Sequence, residues 1–295
     1  MDDARFAALT DRALVSLTGE DTTGFLQGLV TNDVSAVSEE RAIYAALLTP
    51  QGKYLHDFFV VSSGGALFLE CEARRIADLI ARLSRYRLRA RVAIEDASDR
   101  LKVFAVFGED ALQRVGLAAR EGSAAPLDSG RVFVDPRSAA LGARALLPGA
   151  SGAATLQGAG LSPSDREPYD TLRMSLGIAA GDPEIEPDKS YPMEYGFDAL
   201  NGISFSKGCY VGQEVTVRMK TRGLVRKRLV PVRIDGDTPE TGAPLQLDGK
   251  AAGELRAACG PAGLALVRVD VLEQALAEGV PFAAGTTLLY PMAPS

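Results

Sequence analysis

Short runs of mostly hydrophobic residues, separated by turn residues, predict strands joined by tight turns in the first hundred residues. Strand-like segments cover residues 13–17, 42–48, 54–61 and 66–70. Residues 50–53 combine proline and glycine, which is typical of a turn between two strands. Successive hairpins of this kind indicate an antiparallel meander.

A helical pattern follows over residues 72–86, where Ile76, Leu79, Ile80 and Leu83 recur on one face. The opposite face and the residues after it are rich in arginine: Arg74, Arg75, Arg82, Arg85, Arg87, Arg89 and Arg91. Two interpretations stay open for these arginines. They form either a solvated face or a contact for an anionic ligand or RNA.

The middle of the chain mixes strands, a helix and segments of low complexity. Strands are predicted over residues 102–107 and 131–134, with a helix over 110–119 between them. Residues 120–130 and 148–160 are rich in glycine, alanine and serine. These two segments are predicted to be loops.

A capping-box spacing marks the next helix. Ser164 and Glu167 are three residues apart, so the helix is predicted to begin there, to run to about Leu176 and to end at Gly177. The proline-punctuated segment 178–202 then predicts a long loop, and loops of this length usually serve a function. From about residue 229 onward, short apolar runs separated by glycine and proline predict a small antiparallel barrel.

Composition and charge narrow the class of protein. The 295 residues are 46% hydrophobic and 24% charged, as in an ordinary globular protein large enough for two or three domains. A net charge of −6 makes direct nucleic-acid binding or membrane binding unexpected. The start of the sequence lacks the features of a signal peptide, and no apolar run is long enough to span a bilayer. These features predict a cytoplasmic protein.

Cysteine and histidine counts exclude several kinds of chemistry. The cysteines Cys71, Cys209 and Cys259 are far apart, which argues against a disulfide framework or a complete zinc or iron-sulfur site. His56 is the single histidine, which argues against catalytic triads and multi-histidine metal sites. No nucleotide-binding glycine motif is present. The chemistry must therefore use carboxylates, one thiol or a cofactor.

The segment around Cys209 carries the strongest chemical signal. Residues 207–212 form a glycine-flanked turn that leads into a helix predicted to begin near Gln213. A thiol near a helix N-terminus and two residues from the ammonium group of Lys207 is favoured as a thiolate. The alternative is a buried structural cysteine. The spacing alone leaves both interpretations open.

This segment resembles a known family. The run KGCYVGQE preceded by GISF is similar to the signature of the YgfZ-type folate-binding proteins, which are relatives of the glycine-cleavage T-protein. The segments FLQGLVTNDV, PQGKYLHDF and LRMSLGI extend the resemblance over essentially the whole chain. It is greatest to the branch that contains a mitochondrial iron-sulfur cluster assembly factor.

The resemblance implies an α+β, three-domain T-protein-like fold with a C-terminal antiparallel β-barrel. Residues 1–98 and 165–222 would form a central folate-pocket region, residues 99–164 a second α+β region, and residues 223–295 the barrel.

The resemblance also implies a function. The family matures iron-sulfur proteins, notably those with [4Fe-4S] clusters, and supports an iron-sulfur-dependent tRNA modification. An A-type iron-sulfur scaffold or carrier protein is the implied partner, and tetrahydrofolate is the implied cofactor. The protein is expected to be an assembly factor rather than an enzyme, with Cys209 as a cluster ligand shared with the partner, since clusters typically need about four ligands.

Site residues carry over from the family motifs. Cys209 and Asp57 are the candidates for a chemical role, and the cofactor-binding candidates are Asp57, Arg173, Lys207, Gly208, Gln213 and Glu214. Strand alternation puts Asp57 beside Leu55 and Phe59 in a desolvated position and His56 on the opposite face. The alternative for Asp57 is a solvated residue on an edge strand.

The sequence departs from the T-protein pattern at one position, and two other functions compete with the expected one. Ser175 stands where T-proteins usually have a glutamate for the pterin, which weakens the expectation of folate binding. The basic run 218–228 would meet either a polyglutamate tail, a partner or only solvent. The competing functions are a tetrahydrofolate-dependent aminomethyltransferase that uses Asp57 and a folate-binding sensor in which Cys209 is structural.

Overall fold

The computed structural model describes residues 3–292. Its strands are β1 (Arg5–Ala8), β2 (Arg12–Thr18), β3 (Ile43–Leu48), β4 (Tyr54–Ser63), β5 (Ala66–Glu72), β6 (Ala93–Asp96), β7 (Leu101–Phe107), β8 (Ala124–Leu127), β9 (Gly130–Val134), β10 (Ala143–Pro148), β11 (Ser162–Pro163), β12 (Lys227–Asp235), β13 (Pro244–Leu247), β14 (Lys250–Cys259), β15 (Ala262–Arg268), β16 (Phe282–Ala284) and β17 (Thr287–Pro291). Its α-helices are α1 (Thr22–Gln27), α2 (Ile76–Arg87), α3 (Ala111–Arg114), α4 (Gly152–Gly158), α5 (Glu167–Ser175), α6 (Gln213–Thr221) and α7 (Val269–Glu278). Within this described part of the chain, no helix is both long and apolar enough to cross a membrane.

The chain divides into two compact units. Unit 1 contains residues up to 50 together with 55–166 and 199–213, and unit 2 contains 51–54, 167–198 and the residues from 214 onward. Two hydrophobic cores lie in unit 1 and one lies in the barrel of unit 2. The exact boundaries of the three regions predicted from the sequence stay a prediction.

The first core of unit 1 is covered by a five-stranded sheet in the order β3-β4-β5-β2-β6. The predicted meander is present, because β4 and β5 pair antiparallel. The predicted amphipathic helix is also present as α2, whose Leu79 and Leu83 are buried in this core. A 3-10 turn over Ala73–Arg75 precedes it.

The second core of unit 1 is covered by a six-stranded sheet in the order β11-β1-β7-β10-β9-β8. Both loop predictions in this region are wrong, because β8 lies within 120–130 and α4 lies within 148–160. The small residues in these segments allow close packing. A Cβ atom on Gly152 would lie 2.7 Å from the ring of Phe104, so glycine lets α4 approach the sheet while Leu156 fills the core. Helix α3 is shorter than the predicted helix over 110–119.

Unit 2 contains the predicted C-terminal barrel. The strands close in the order β12-β15-β14-β13-β16-β17, all paired antiparallel. Val232, Leu255 and Phe282 are among the residues that fill its interior. These strands correspond to the short apolar runs between glycine and proline residues from which the barrel was predicted.

Helix α5 confirms the predicted end and contradicts the predicted start. The N–H of Gly177 donates to the carbonyl of Met174 at 2.9 Å and that of Ile178 donates to the carbonyl of Arg173 at 3.1 Å, which is a Schellman ending. The capping box at Ser164 is wrong, since the Ser164 hydroxyl donates to the carbonyl of Asp165. The Ser164 backbone N–H extends the pairing of β11 with β1, so this residue belongs to the sheet and not to the helix.

Candidate functional site

The loop that carries the Cys209 motif is held against the turn after α1. The Thr31 hydroxyl donates to the carbonyl of Gly202 at 2.7 Å, and the N–H of Ser204 donates to the carbonyl of Thr31 at 3.0 Å. The Lys207 ammonium donates to the carbonyls of Val30 at 2.8 Å and of Asn32 at 2.7 Å. These bonds hold the loop at several points, and backbone and side chain contribute to them.

Lys207 has a positional role in this arrangement. Burial lowers the pKa of its ammonium to about 8, and the carboxylate of Asp33 opposes that shift. The side chain therefore stays mostly protonated at neutral pH, when it donates to the two backbone carbonyls. The sequence predicted that this charge would act on the thiol, whereas the structure uses it to tie the loop to the α1 turn.

Cys209 lies at the exposed end of the held loop. This position excludes the alternative of a buried structural cysteine. A Cβ atom on the neighbouring Gly208 would meet nothing within 4 Å, so this residue also faces open space. Helix α6 begins at Gln213, as predicted, four residues after the thiol.

The other two thiols are placed differently. Cys71 is buried in the first core of unit 1, where burial raises the pKa of its thiol to about 12. The sulfur of Cys259 in unit 2 accepts a hydrogen bond from the Thr171 hydroxyl at 3.5 Å and lies 3.6 Å from the carbonyl of Glu167. Cys209 is therefore the most accessible of the three sulfur atoms.

Asp57 is buried at 3% exposure, so the alternative of a solvated edge-strand residue is wrong. Its Oδ2 accepts a hydrogen bond from the Tyr44 hydroxyl at 2.8 Å. The side-chain amide of Asn32 donates to the Tyr44 carbonyl at 2.8 Å, and the Asn32 carbonyl accepts from Lys207. Hydrogen bonds thus connect the predicted residues Asp57 and Lys207 through Asn32 and Tyr44.

A buried charge network surrounds Asp57 and joins the two sheets of unit 1. Glu70, at 0% exposure on β5, accepts from Arg12 and from Arg144, the latter at 3.0 Å. Arg144 on β10 also lies 3.5 Å from Asp135. Burial alone would lower the pKa of Arg12, but the carboxylates of Glu70 and Asp57 outweigh burial and raise it. Burial would raise the pKa of Asp135, but the guanidinium groups of Arg137 and Arg144 outweigh burial and lower it.

Sequence reasoning missed this network. Apart from Asp57, its members look like ordinary charged residues, and they come from separate strands and turns: Arg12, Glu70, Asp135, Arg137 and Arg144. The available signal was a charge inside an otherwise apolar strand, as at Glu70 in β5 and Arg144 in β10. That signal indicates that the charged side chain is buried, but it does not identify its partner residue on the other sheet.

His56 lies outside this network, consistent with its predicted position on the opposite face. It is buried, and its Nε2 is 2.8 Å from Oδ2 of Asp78. Burial and the nearby Arg75 lower the pKa of His56 to about 4. The imidazole is therefore neutral at pH 7, and its Nε2–H donates to the carboxylate.

His56 should make the protein sensitive to acid. Its pKa is about 4 when folded and 6.5 ordinarily, so the unfolded chain takes up the proton first as the pH falls. This one group is expected to remove up to about 3 kcal/mol of unfolding free energy between pH 6.5 and pH 4. Urea unfolding at pH 7 and pH 4.5 measures the loss in the wild type and in His56→Gln, whose amide still donates to Asp78. Equal losses in both proteins would contradict the assignment.

Arg173 is engaged within unit 2. The guanidinium is only 2% exposed and forms two 2.8 Å bonds with the carboxylate of Glu184. It also donates to the carbonyl of Ile178 at 2.7 Å and lies 3.2 Å from Asp170. These contacts hold the first part of the predicted long loop onto α5. A role in cofactor binding stays a prediction for this residue.

Ser175 and the remaining motif residues have local contacts. The Ser175 hydroxyl donates to the carbonyl of Leu172 inside α5 at 2.7 Å. Gln213, in unit 1, begins α6 and donates its N–H to the carbonyl of Tyr210. Glu214, in unit 2, is exposed and pairs with Arg218. The roles of Gln213 and Glu214 in cofactor binding stay predictions.

Unit 1 also has a cleft of about 560 Å³ beside the motif loop. Asn32, Arg41, Arg120, Ser204 and Phe205 are among the residues that line it. Its volume falls in the range of small-molecule sites, which is about 300–1,000 Å³. Neither arginine has an ion pair within residues 3–292. The sequence did not indicate these two arginines, because they come from segments far apart in the chain.

Comparison with known proteins identifies the fold. Residues 9–121 match the GCVT N-terminal domain, and residues 226–295 match the CAF17 C-terminal beta-barrel domain. The solved structure of glycine cleavage system aminomethyltransferase T from Bartonella henselae superposes with a TM-score of 0.76 and 16% identity. That match covers 99% of this chain and 86% of the other chain. The predicted T-protein-like fold is confirmed.

Curated relatives are similar over most of the chain. Iron-sulfur cluster assembly factor IBA57, mitochondrial, from Mus musculus is 33% identical over 290 residues, covering 90% of this chain and 78% of the relative. The protein of the same name from Homo sapiens is 34% identical and covers 88% and 76%. The homolog from Aspergillus fumigatus is 31% identical and covers 93% and 72%.

The names of these relatives correct one prediction and confirm another. They are mitochondrial proteins, which contradicts the predicted cytoplasmic location and points to the mitochondrion. That prediction used only the lack of a secretory signal and of a membrane span, and neither feature separates the cytoplasm from the interior of an organelle. The predicted family is confirmed. With about a third of its residues identical over nine-tenths of its length, this chain belongs to the IBA57 family, a T-protein-like family.

Proposed function

We propose that this protein is an iron-sulfur cluster assembly factor in which Cys209 binds the cluster together with a partner. Its relatives are named as iron-sulfur cluster assembly factors. The observation that carries the proposal is the placement of Cys209, which is exposed on a loop held by Lys207 and by Thr31. A fixed, accessible thiol can meet a cluster presented by another protein.

The cluster is the cargo of the proposed function. Protein-bound clusters typically need about four ligands, and Cys209 supplies one. Within residues 3–292 no group of three or more histidine, cysteine, aspartate or glutamate residues is placed to hold a metal. We assign the remaining ligands to an A-type carrier or scaffold protein. The proposed clients are [4Fe-4S] proteins, including those that modify tRNA.

A folate ligand is a secondary proposal, supported by the cleft in unit 1. The volume of about 560 Å³ suits a small molecule. Arg41 and Arg120 on its walls would bind the carboxylates of a glutamate tail, and guanidinium groups suit that geometry. Asn32 lines the same cleft and continues through Tyr44 to Asp57. Folate would then regulate the site, with no turnover required of Asp57.

Complementation tests the proposed function. A strain that lacks this protein is complemented with wild type, Cys209→Ala or Cys259→Ala at matched protein levels, and aconitase activity is measured. We expect the deletion to lower the activity, and wild type and Cys259→Ala to restore it. Cys209→Ala should restore less than about a tenth, because the cluster loses its ligand on this chain.

Full restoration by Cys209→Ala would show that the thiol is not a cluster ligand. If the deletion itself leaves aconitase unchanged, the competing functions move forward. An aminomethyltransferase would turn over an aminomethyl donor with tetrahydrofolate and lose that activity in Asp57→Asn. A folate sensor would bind tetrahydrofolate equally well in wild type and Cys209→Ala.

A further inference from the structure

The C-terminal end of α2 is the most exposed apolar feature of the described residues. All six residues from Ser84 to Arg89 are exposed, and we call them the α2 tip. Leu88 is 89% exposed, whereas the next most exposed large hydrophobic side chains, Tyr86 of the same tip among them, reach 43%. An isolated exposed leucine is ordinary, but one this exposed beside a half-exposed tyrosine forms a small apolar projection.

The backbone holds Leu88 in this position. Its φ of 42° and ψ of −106° lie outside the regions that residues with a side chain favour. Such conformations persist where the surrounding structure determines them, and they are concentrated at functional sites. The fold thus keeps an apolar side chain in water at an unfavourable backbone conformation. Burial against another surface would release that side chain from water.

The charges of the tip are not used within the chain. Arg85, Arg87 and Arg89 have no ion pair or side-chain hydrogen bond to any residue from 3 to 292. Their neighbours differ, because Arg82 pairs with Asp78 and Arg91 pairs with Glu20 and Asp21. The tip therefore presents three unneutralised positive charges around one leucine.

We propose that the α2 tip docks onto an acidic patch of a partner protein, with Leu88 in an apolar pocket of that patch. The inference rests on the proposed function, which requires a partner to supply cluster ligands. It adds a second contact on unit 1, apart from the Cys209 loop. Arginine is well suited to such surfaces because its planar guanidinium pairs with carboxylates in a bidentate manner.

The charge of the whole chain favours a compact acidic partner over an extended anionic surface. The net charge of −6 already includes the three arginines of the tip, so the rest of the chain is more acidic still. A bilayer of anionic lipid or a nucleic acid would repel that remainder. An acidic patch on a protein is small enough to contact the tip without approaching the rest of the acidic chain.

Binding to the A-type carrier of the proposed function tests this inference. The dissociation constant is measured by calorimetry for full-length wild type, Leu88→Ser and the double variant Arg87→Glu/Arg89→Glu. We expect each variant to weaken binding by at least about tenfold, because burial of a leucine and pairing of two charges each exceed that factor. Higher salt should weaken the wild type more than the double variant.

A matched control separates docking from net charge. Arg233→Glu/Lys250→Glu changes the charge of the chain by the same amount on exposed positions of the barrel, β12 and β14. It should bind the carrier within about twofold of wild type, since its charges lie outside the proposed contact. Circular dichroism and thermal unfolding of all variants confirm that they fold.

Each other outcome overturns the inference in a recognisable way. If wild type binds the carrier and the tip variants bind equally well, the tip is not the contact, and the proposed function stands. If wild type does not bind the carrier, the proposed partner fails and the inference fails with it. Binding of wild type but not Leu88→Ser to vesicles of phosphatidylcholine and phosphatidylserine would assign the tip to a membrane. A wild-type dimer that Leu88→Ser dissociates in sedimentation would assign it to a second copy.

Discussion

Replacement of Glu70 by glutamine is expected to lower the free energy of unfolding by about 3–5 kcal/mol. Glu70 is completely buried and accepts hydrogen bonds from both Arg12 and Arg144. Removal of its charge leaves two buried guanidinium groups with less neutralising charge, and an uncompensated buried charge is among the most destabilising changes in a protein. Urea unfolding followed by circular dichroism at pH 7 measures the loss.

Glu95→Gln provides the matched control for this prediction. Glu95 is an exposed residue on β6, and its carboxylate lies 4.0 Å from Arg100. Exposed ion pairs contribute about 0–1 kcal/mol, so this variant should unfold almost as the wild type does. If Glu70→Gln were no more destabilised than Glu95→Gln, the buried network would not be what joins the two sheets of unit 1.

Arg173→Met is expected to have an effect of similar size, about 3–5 kcal/mol, in unit 2. The guanidinium pairs in a bidentate manner with Glu184 and also contacts Asp170 and the carbonyl of Ile178. Methionine fills part of the space but leaves Glu184 half-buried without its cation. The backbone N–H of Ala180 also depends on Glu184, to which it donates at 2.8 Å. The segment after α5 should therefore loosen together with the loss of stability.

Two measurements together identify this effect. Urea unfolding gives the loss of stability, and hydrogen exchange followed by mass spectrometry should show faster exchange in peptides that cover residues 178–186. Arg218→Met is the control, because Arg218 forms an exposed pair with Glu214 on α6 and should change stability by about 0–1 kcal/mol. Unchanged exchange over residues 178–186 in Arg173→Met would mean that Arg173 does not hold this segment.

Elements with a regular pattern were predictable from the sequence. The apolar face of α2 repeats with the helical period, and the hairpin between β4 and β5 and the barrel strands are apolar runs bounded by turn residues. Predictions from single residues were also correct where no distant partner was involved. Gly177 was predicted to end α5, and its positive φ of 72° does so. The start of α5 was not predictable from Ser164, because the segment that contains Ser164 pairs with β1 in the sheet.

Loop predictions failed where small residues serve packing. Residues 148–160 have the composition of a loop, yet α4 forms there because Gly152 and its neighbours fit closely against Phe104. Composition reports the intrinsic preference of a segment, whereas the packing of its side chains against a distant strand decides its structure. The same limit applies to the cleft, since Arg41 and Arg120 line one cleft only after unit 1 has folded.

The sequence by itself determined the family, the elements with a regular pattern and the thiol on which the proposed function depends, because each of these is encoded in a contiguous motif or a short local pattern. The tertiary structure alone decided that Lys207 holds the motif loop, that Glu70 joins Arg12 to Arg144, and that Leu88 projects into water. The physical reason is that desolvation and charge pairing depend on distances between atoms far apart in the chain, and those distances exist only after folding.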